Sequence, residues 1–493
     1  MLSRRSLLPL LALFAACRPS LAPSPASIST GSRPALRAFI DSMTDAPAFS
    51  NAHWGILIVD PIRAETLYAR NAGKLFMPAS NMKILTSATA LAQLGPDYRY
   101  RTTFAARGPV ANGTLDGDLL VIGRGDPSVS DHMLGDAMIP LRTIADSIAA
   151  RGITRITGKV IPYGDAFPGD MFGYGWTYAD FQDSYSAPID ELLFNEGFSE
   201  AHVRGAAEAG APAGVTLSPA KTVPAIQASV TTVPPRRPGD TLATTAIASR
   251  KDSTTWVEMV TGRIATNDTT TIELVHHDPG LAYVAAMTEA LGARGITVDG
   301  RETNGTGRID TLATLSSPPL SEILKALMKP SQNQIAEMLF RTIALERYGS
   351  GRPDSAAAAV RAQIMSWGVA QNEAVIRDGS GLSRYDYISP RTVVRILDAM
   401  RKSRAFQVYY DALPIAGVDG TIRNRMKGTP AENNVRAKTG SVALSRSLSG
   451  YVTTADQHML IFSFLSNNWT VPTRETERVQ DAIAARLAGM RLR

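Results

Sequence analysis

Strand patterns lie close to both ends of this chain, and helical patterns lie between them. Near the N-terminus, the stretches WGILIVD (54–60) and ETLYARN (65–71) flank a polar turn and predict a β-hairpin. Near the C-terminus, SRSLSGYVTT (445–454) and QHMLIFSFLSN (457–467) predict two more strands, followed by a terminal amphipathic helix from 473 to 490. Helical patterns such as NQIAEMLFRTIALERYG (333–349) precede them. The chain is therefore expected to form an α+β domain whose sheet joins the two termini.

The region from 104 to 304 has a different pattern. It contains short alternating strands, such as Asp118 to Ile122, one helix near Ile144 to Ala150, and many Gly, Pro, Ser and Thr turns. A chain of 493 residues is long enough for more than one domain. We predict that 34–103 and 305–493 form the α+β domain and that 104–304 forms one or two inserted, mostly β domains.

The first 22 residues have the pattern of an export signal. Two arginines precede the apolar stretch from Leu7 to Ala16, which is too short to span a bilayer about 30 Å thick. Two processing sites fit: cleavage before Cys17, which would then carry lipid, or cleavage after Ala22, which would discard it. Residues 23–33, rich in Pro, Ser and Ala, are expected to be a tether. The sequence thus predicts an exported protein of the periplasm or cell envelope, with a membrane tether through Cys17 as one of the two outcomes.

Several classes of function are disfavoured by composition and by missing motifs. The net charge is +6, but no run of five or more basic residues occurs, so a nucleic-acid partner is not expected. The sequence contains no HExxH, no cysteine pair and no P-loop, so we predict neither a metal nor a cofactor. No serine lies in a GxSxG elbow.

One serine and one lysine are placed for nucleophilic chemistry. Ser80 and Lys83 lie three residues apart at the start of a predicted helix, so their side chains share one face. An amine kept neutral by burial could take the proton of a serine hydroxyl. Ser218 and Lys221 have the same spacing, but a proline and strand-like surroundings do not present them on a helix face. We therefore favour the first pair.

Two further motifs supply matching groups. Ser331-Gln332-Asn333 offers a hydroxyl that can pass protons and an amide that can orient a substrate. Lys438-Thr439-Gly440 offers a cation, a hydroxyl and a glycine at a predicted strand edge, which suits the capture of a terminal carboxylate. The N–H of the next residue, Ser441, could contribute to an oxyanion hole.

The order Ser-x-x-Lys, Ser-x-Asn, Lys-Thr-Gly is found in β-lactamases and penicillin-binding proteins. More narrowly, the chain resembles the class C low-molecular-mass penicillin-binding proteins, which are serine D-alanyl-D-alanine carboxypeptidases and endopeptidases. The stretches that carry this resemblance are LPIAGVDGTIRNRMKGTP, NVRAKTGS, DGSGLSR and GDLLVIGRGDPS. The long interval between Ser80 and Ser331 is also similar, because that family carries extra domains between its first two motifs. The resemblance implies a β-lactamase/transpeptidase-like fold.

The resemblance also implies a role for each motif residue. Ser80 would be acylated, Lys83 would be the base, and Ser331 would relay the proton. Asn333 and Lys438 would position the substrate.

The remaining residues would bind the substrate. Thr439 would bind the terminal carboxylate beside Gly440, and the N–H groups of Ser80 and Ser441 would form the oxyanion hole. In relatives that act on diaminopimelate peptides, an aspartate of the insertion and the arginine of the DGSGLSR loop bind the side-chain end of that residue. Here the matching positions are Asp180 and Arg384, with Tyr185 as an apolar wall.

We therefore expect a penicillin-sensitive serine D-Ala-D-Ala carboxypeptidase/endopeptidase that acts on peptidoglycan stem peptides through an acyl-enzyme. Its partners would be those peptides and β-lactams. The alternatives are a non-catalytic peptidoglycan-binding protein of the same fold and a related esterase or β-lactamase. The intact motif residues argue against the non-catalytic alternative.

Overall fold

The computed structural model describes residues 33–235, 245–251 and 256–492, and in 245–251 it describes the backbone only. The predicted export signal, Cys17 and residues 23–32 of the predicted tether lie outside this range. Arg33, the last residue of that tether range, begins the first helix. Within the described residues, no helix is both long enough and apolar enough to cross a membrane.

The first part of the described chain forms a β-hairpin with one helix on either side of it in sequence. These elements are α1 (Arg33–Thr44), β1 (His53–Asp60), β2 (Glu65–Arg70) and α2 (Met82–Gln93). The hairpin is the predicted one. Helix α2 is buried from Met82 to Leu91, which places it in the interior of the domain.

The middle of the chain consists mostly of short strands. Its elements are β3 (Arg101–Arg107), β4 (Val110–Ala111), β5 (Thr114–Leu115), β6 (Asp118–Ile122), α3 (Asp131–Leu134), α4 (Met138–Ala149), β7 (Arg155–Ile156), β8 (Val160–Pro162), β9 (Phe198–Arg204), β10 (Gly214–Ser218), β11 (Ala225–Val233), β12 (Thr245–Lys251), β13 (Trp256–Ala265), β14 (Thr269–Val275), α5 (Pro279–Ala293), β15 (Thr297–Val298) and β16 (Ile309–Ser316). They form four small sheets, ordered β16-β3-β6-β8, β15-β7-β5-β4, β10-β9-β14 and β11-β13-β12. Strands β3 and β16 pair antiparallel, so the middle region leaves and rejoins the rest of the chain at neighbouring points. Strand β3 begins before residue 104 and β16 lies after residue 304, the two predicted bounds of the insertion.

The last part of the chain is helical and then closes with three strands and a helix. Its elements are α6 (Leu320–Met328), α7 (Asn333–Tyr348), α8 (Pro353–Ser366), β17 (Ala374–Val375), β18 (Tyr387–Ile388), α9 (Pro390–Arg401), α10 (Phe406–Ala412), β19 (Arg436–Val442), β20 (Ser445–Thr453), β21 (Met459–Asn467) and α11 (Thr473–Gly489).

A five-stranded antiparallel sheet joins the two ends of the described chain. Its order is β19-β20-β21-β1-β2, and His53 of β1 lies opposite Asn467 of β21. Alternate residues of β21 face opposite sides of this sheet, as the pleat requires. Ile461 and Leu465 pack in the core that contains α2, α7 and α9, whereas Phe462 and Phe464 pack in the core that contains α1 and α11. The expected α+β class is confirmed, and in this fold the short turn that leads into α2 packs against the edge strand β19.

Candidate active site

Ser80 lies in a short 3-10 turn (Ala79–Asn81) that leads directly into α2. The Nζ atom of Lys83, in the first turn of α2, lies 2.9 Å from Ser80 Oγ. The same Nζ atom donates to Asn333 Oδ1 at 2.6 Å and to the carbonyl oxygen of Ser380 at 2.8 Å. The last two partners can only accept hydrogen bonds here. A neutral amine, with two N–H groups and one lone pair, therefore fits this site if its lone pair faces the Ser80 hydroxyl.

The electrostatic environment favours that neutral amine. The Lys83 side chain is fully buried, and burial lowers its pKa to about 7, against the opposing effect of the negative charges of Asp378 and Glu337. An ordinary lysine titrates near 10.5. At neutral pH a substantial fraction of Lys83 is thus unprotonated and able to accept a proton.

The second motif lies at the N-terminus of α7. Ser331 has a left-handed backbone (φ 72°), and its Oγ accepts a hydrogen bond from Lys438 Nζ at 2.7 Å. Lys438 also donates to the carbonyl oxygen of Thr439 at 2.9 Å. Burial holds the pKa of Lys438 well below its ordinary value, and the positive charge of Lys83 lowers it further. Left-handed backbone geometry is uncommon at a serine, and here it occurs at the residue whose hydroxyl accepts the hydrogen bond from Lys438.

The third motif lies on the edge strand β19, pressed against the turn that carries Ser80. A Cβ atom added at Gly440 would lie 2.1 Å from Ser447 Oγ, 2.5 Å from the Pro78 carbonyl oxygen and 3.0 Å from the Ser80 nitrogen. Only glycine permits this approach. The contact is fixed further by Asn81 Nδ2, which donates to the Lys438 carbonyl oxygen at 2.9 Å.

The motifs surround a cleft of about 480 Å³. Its lining residues are Ser80, Asp180, Tyr185, Ser331, Asn333, Gly381, Leu382, Arg384, Thr421, Thr439, Gly440, Ser441, Val442 and Ala443. Nine of the eleven residues predicted from the sequence are among them. The other two, Lys83 and Lys438, are buried beneath the cleft and contact Ser80 and Ser331. The structure thus brings the whole predicted set together.

Three of the predicted substrate-binding residues have partners within the protein. Asp180 accepts hydrogen bonds from Thr177 Oγ1 at 2.7 Å and from the Tyr185 hydroxyl at 2.8 Å. Arg384 Nη1 donates to the Ala443 carbonyl oxygen at 3.2 Å. Tyr185 was predicted to be an apolar wall; in the structure its hydroxyl is also held by carboxylates, and its carbonyl oxygen accepts from Asn333 Nδ2 at 2.8 Å.

Two carboxylates that were not predicted to belong to the site lie on the loop after β17 and on α7. Asp378 accepts hydrogen bonds from the N–H groups of Gly381 and Ser383, both at 2.7 Å. Glu337 accepts from the N–H groups of Gly379 at 3.0 Å and Ser380 at 2.7 Å. These buried carboxylates fix the Ser380 carbonyl that holds Lys83. The only sequence signal for Glu337 is its position four residues after Asn333 on α7.

A third site residue that was not predicted is Thr421, on the loop before β19. Its Oγ1 lies 2.7 Å from Thr439 Oγ1. The Thr421 N–H donates to the Lys329 carbonyl oxygen at 3.0 Å, and Lys329 Nζ binds Asp419 at 2.7 Å. Two hydroxyl groups therefore stand together in the cleft wall where the terminal carboxylate was expected to bind.

Comparison with known proteins gives a consistent result. Residues 36–490 match the D-Ala-D-Ala carboxypeptidase 3 (S13) family. The chain is 35% identical to the D-alanyl-D-alanine carboxypeptidase of Actinomadura sp. (strain R39), over 92% of this chain and 84% of that protein. It is 26% identical to the D-alanyl-D-alanine carboxypeptidase DacB of Haemophilus influenzae, over 83% of this chain and 84% of that protein.

The fold comparison agrees. The crystal structure of penicillin-binding protein 4 from Haemophilus influenzae matches with a TM-score of 0.76 at 23% identity, over 91% of this chain and 99% of that one. The structure of that protein in complex with a β-lactam matches with a TM-score of 0.73, at the same identity and coverage. These structures share the overall fold of this chain.

Proposed function

This chain belongs to the D-Ala-D-Ala carboxypeptidase 3 (S13) family, and we propose that Ser80, Lys83, Ser331, Asn333 and Lys438 carry out the reaction of that family here. The protein is a penicillin-sensitive serine carboxypeptidase, a hydrolase that cleaves D-Ala-D-Ala ends of peptidoglycan stem peptides. The non-catalytic alternative and the esterase or β-lactamase alternative are not favoured by these relatives.

The observation that carries the proposed mechanism is the set of contacts around Lys83 Nζ. Two of its three neighbours are carbonyl oxygens, so the lone pair of the neutral amine is directed at Ser80 Oγ. As Ser80 Oγ attacks the carbonyl carbon of the penultimate residue, its proton passes to Lys83. The negative charge that develops on the carbonyl oxygen is stabilised by the N–H groups of Ser80 and Ser441.

Collapse of the tetrahedral intermediate requires a proton for the departing amine. The proton that Lys83 took from Ser80 is passed on to this amine through the Ser331 hydroxyl, whose oxygen is held 2.7 Å from Lys438 Nζ, so Lys83 is neutral again when acylation is complete. D-Alanine then leaves and the acyl group remains on Ser80. Water attacks the ester, with Lys83 accepting the proton of the water, and regenerates the serine.

The substrate is held at both of its ends. The hydroxyl of Thr439, 2.7 Å from that of Thr421, binds the terminal carboxylate beside Gly440. At the other end, Asp180 faces the ammonium group on the side chain of the diamino acid, and Arg384 pairs with a carboxylate there.

The place of action follows from the N-terminal sequence. We propose that residues 1–22 direct export to the periplasm or cell envelope and that Cys17 is lipidated, with 34–103 and 305–493 as the catalytic domain and 104–304 as the insertion. Mass analysis of the mature protein tests the anchor. A chain that begins at Pro23 would contradict it.

A labelled penicillin tests the catalytic assignment. Incubation of the purified protein should give one covalent adduct, which peptide mass spectrometry should locate at Ser80. The Ser80→Ala variant is the control and should give none. An adduct at Ser218, or no adduct on folded wild-type protein, would contradict the assignment.

A further inference from the structure

One segment of the insertion, residues 176–186, runs along the edge of the cleft; we call it the strap. Within it, the single hydroxyl of Tyr185 lies 2.8 Å from carboxylate oxygens of both Asp180 and Asp183. One O–H cannot donate fully to two carboxylates, and the two negative charges repel each other. A cation placed at Asp180 would relieve this repulsion and fix the strap.

The C-terminal end of the strap is joined to the catalytic base by one amide. Asn333 Nδ2 donates to the Tyr185 carbonyl oxygen at 2.8 Å, and Asn333 Oδ1 accepts from Lys83 Nζ at 2.6 Å. The next residue of α7, the buried Gln334, donates from Nε2 to the Ser184 carbonyl oxygen at 2.8 Å. The position of the strap therefore determines where the Asn333 amide points.

The N-terminal end of the strap is joined to the second acceptor of Lys83. Trp176 Nε1 donates to Asp378 Oδ2 at 3.0 Å. Asp378 in turn holds the N–H groups of Gly381 and Ser383, which follow the carbonyl group of Ser380 in the loop. That carbonyl oxygen accepts from Lys83 Nζ at 2.8 Å. Both carbonyl acceptors of Lys83 are thus braced by the strap, one from each end.

We propose that the strap is a positioning element for Lys83, so that a substrate ammonium group at Asp180 raises the rate constant of acylation and does more than tighten binding. The inference rests on the proposed function. Its physical basis is that the two carbonyl acceptors aim the Lys83 lone pair at Ser80 Oγ, and hydrogen bonds weaken steeply when they bend. Trp176 and Gln334 are the positioning residues, because neither lines the cleft or contacts Lys83.

The test separates binding from chemistry. Two penicillins are compared, one whose acyl side chain ends in a free primary amine and one in which that amine is acetylated. Stopped-flow acylation over a range of concentrations gives a dissociation constant and a limiting acylation rate constant for each. The proteins are wild type, Trp176→Phe, Gln334→Met, and the control Tyr178→Ala, which removes a side chain on the same strap that is 93% exposed.

In wild type and in Tyr178→Ala, the free amine should raise the limiting rate constant by roughly tenfold, a fraction of what a general base supplies. In Trp176→Phe and Gln334→Met that advantage should fall below about threefold, while the effect of the amine on the dissociation constant remains.

Two results would overturn the inference. One is a wild-type advantage that lies in the dissociation constant alone. The other is an equal loss of rate for both penicillins in the two strap variants, which would mean that the strap only supports the fold. Trp176→Phe and Gln334→Met perturb opposite ends of the strap, and thermal unfolding shows whether each variant is folded. One folded variant is therefore sufficient for the test. Failure of the proposed function would look different: neither penicillin would acylate Ser80 in wild type.

Discussion

Replacement of Lys83 by methionine should change how the stability of the protein depends on pH. The pKa of Lys83 is about 7 in the folded protein and 10.5 in a chain without structure. Each pH unit between these values corresponds to about 1.36 kcal/mol, so at pH 7, where about half of Lys83 is already neutral in the folded protein, the buried amine lowers the free energy of unfolding by about 4 kcal/mol. Methionine removes this cost but leaves Asn333 Oδ1 and the Ser380 carbonyl oxygen without their donor, which costs about 1–3 kcal/mol each.

The net change in the free energy of unfolding at pH 7 is thus a small difference between opposing effects, but the way this change depends on pH is distinctive. Between pH 7 and 10.5 the unfolded chain binds a proton at Lys83 that the folded protein does not bind, so the stability of wild type rises with pH. Lys83→Met lacks this group. The difference in free energy of unfolding between the two proteins should therefore change by about 2 kcal/mol from pH 7 to pH 9, in favour of wild type.

Urea unfolding of both proteins at pH 6, 7, 8 and 9 measures this difference. Lys325→Met is the control, because it makes the same substitution at a lysine whose side chain is 48% exposed. Acylation by penicillin should be nearly abolished in Lys83→Met. A difference that stays constant from pH 7 to 9 would mean that Lys83 keeps its proton in the folded protein, and it would refute the assignment of Lys83 as the neutral base.

Three further predictions concern activity. Single-turnover acylation by penicillin from pH 5 to 9 should rise about tenfold per pH unit and level off above about pH 7, as Lys83 loses its proton; a flat profile would exclude it as the base. Gly440→Ala should lower the acylation rate constant by about 10²-fold or more, because its Cβ would lie 2.5 Å from the Pro78 carbonyl oxygen and push β19 away from the Ser80 turn; unchanged rates would contradict this geometry. Asp180→Ala should lower hydrolysis of peptides with a free side-chain amine by about tenfold to hundredfold and leave their acetylated counterparts unchanged; equal losses on both would give Asp180 a supporting role only.

The sequence predicts the parts of the fold that rest on local patterns. Strands β1 and β21 have continuous apolar runs, and α2 has a clear periodicity with a Gly-Pro stop. Helix α5 (Pro279–Ala293) was not anticipated. Its buried residues include Ala282, Tyr283, Val284, Ala286 and Met287, which occupy several faces, so the alternation of apolar and polar residues that marks an amphipathic helix is missing.

The contacts of the site also divide into those that a local sequence pattern predicts and those that it does not. The pairing of Ser80 with Lys83 depends on a spacing within one helical turn, which sequence reveals. The donation from Trp176 to Asp378 joins residues about two hundred positions apart, and no local pattern encodes it. Thr421 beside Thr439 likewise depends on how a loop returns to the sheet.

The sheet that joins β1 to β21 also fixes when in its lifetime the enzyme can become active. Strand β1 and the Ser80 turn are made early, but β21, which pairs with β1, and β19, which packs against the Ser80 turn, come from the last part of the chain. Asn81 and the Lys438 carbonyl it binds are 357 residues apart. Contacts this distant in sequence cannot form until translation, and export where it occurs, have delivered the C-terminal strands. A partly synthesised or partly translocated chain therefore carries its nucleophile without the edge strand that completes the cleft. Hydrolysis of the wall begins only with the finished molecule.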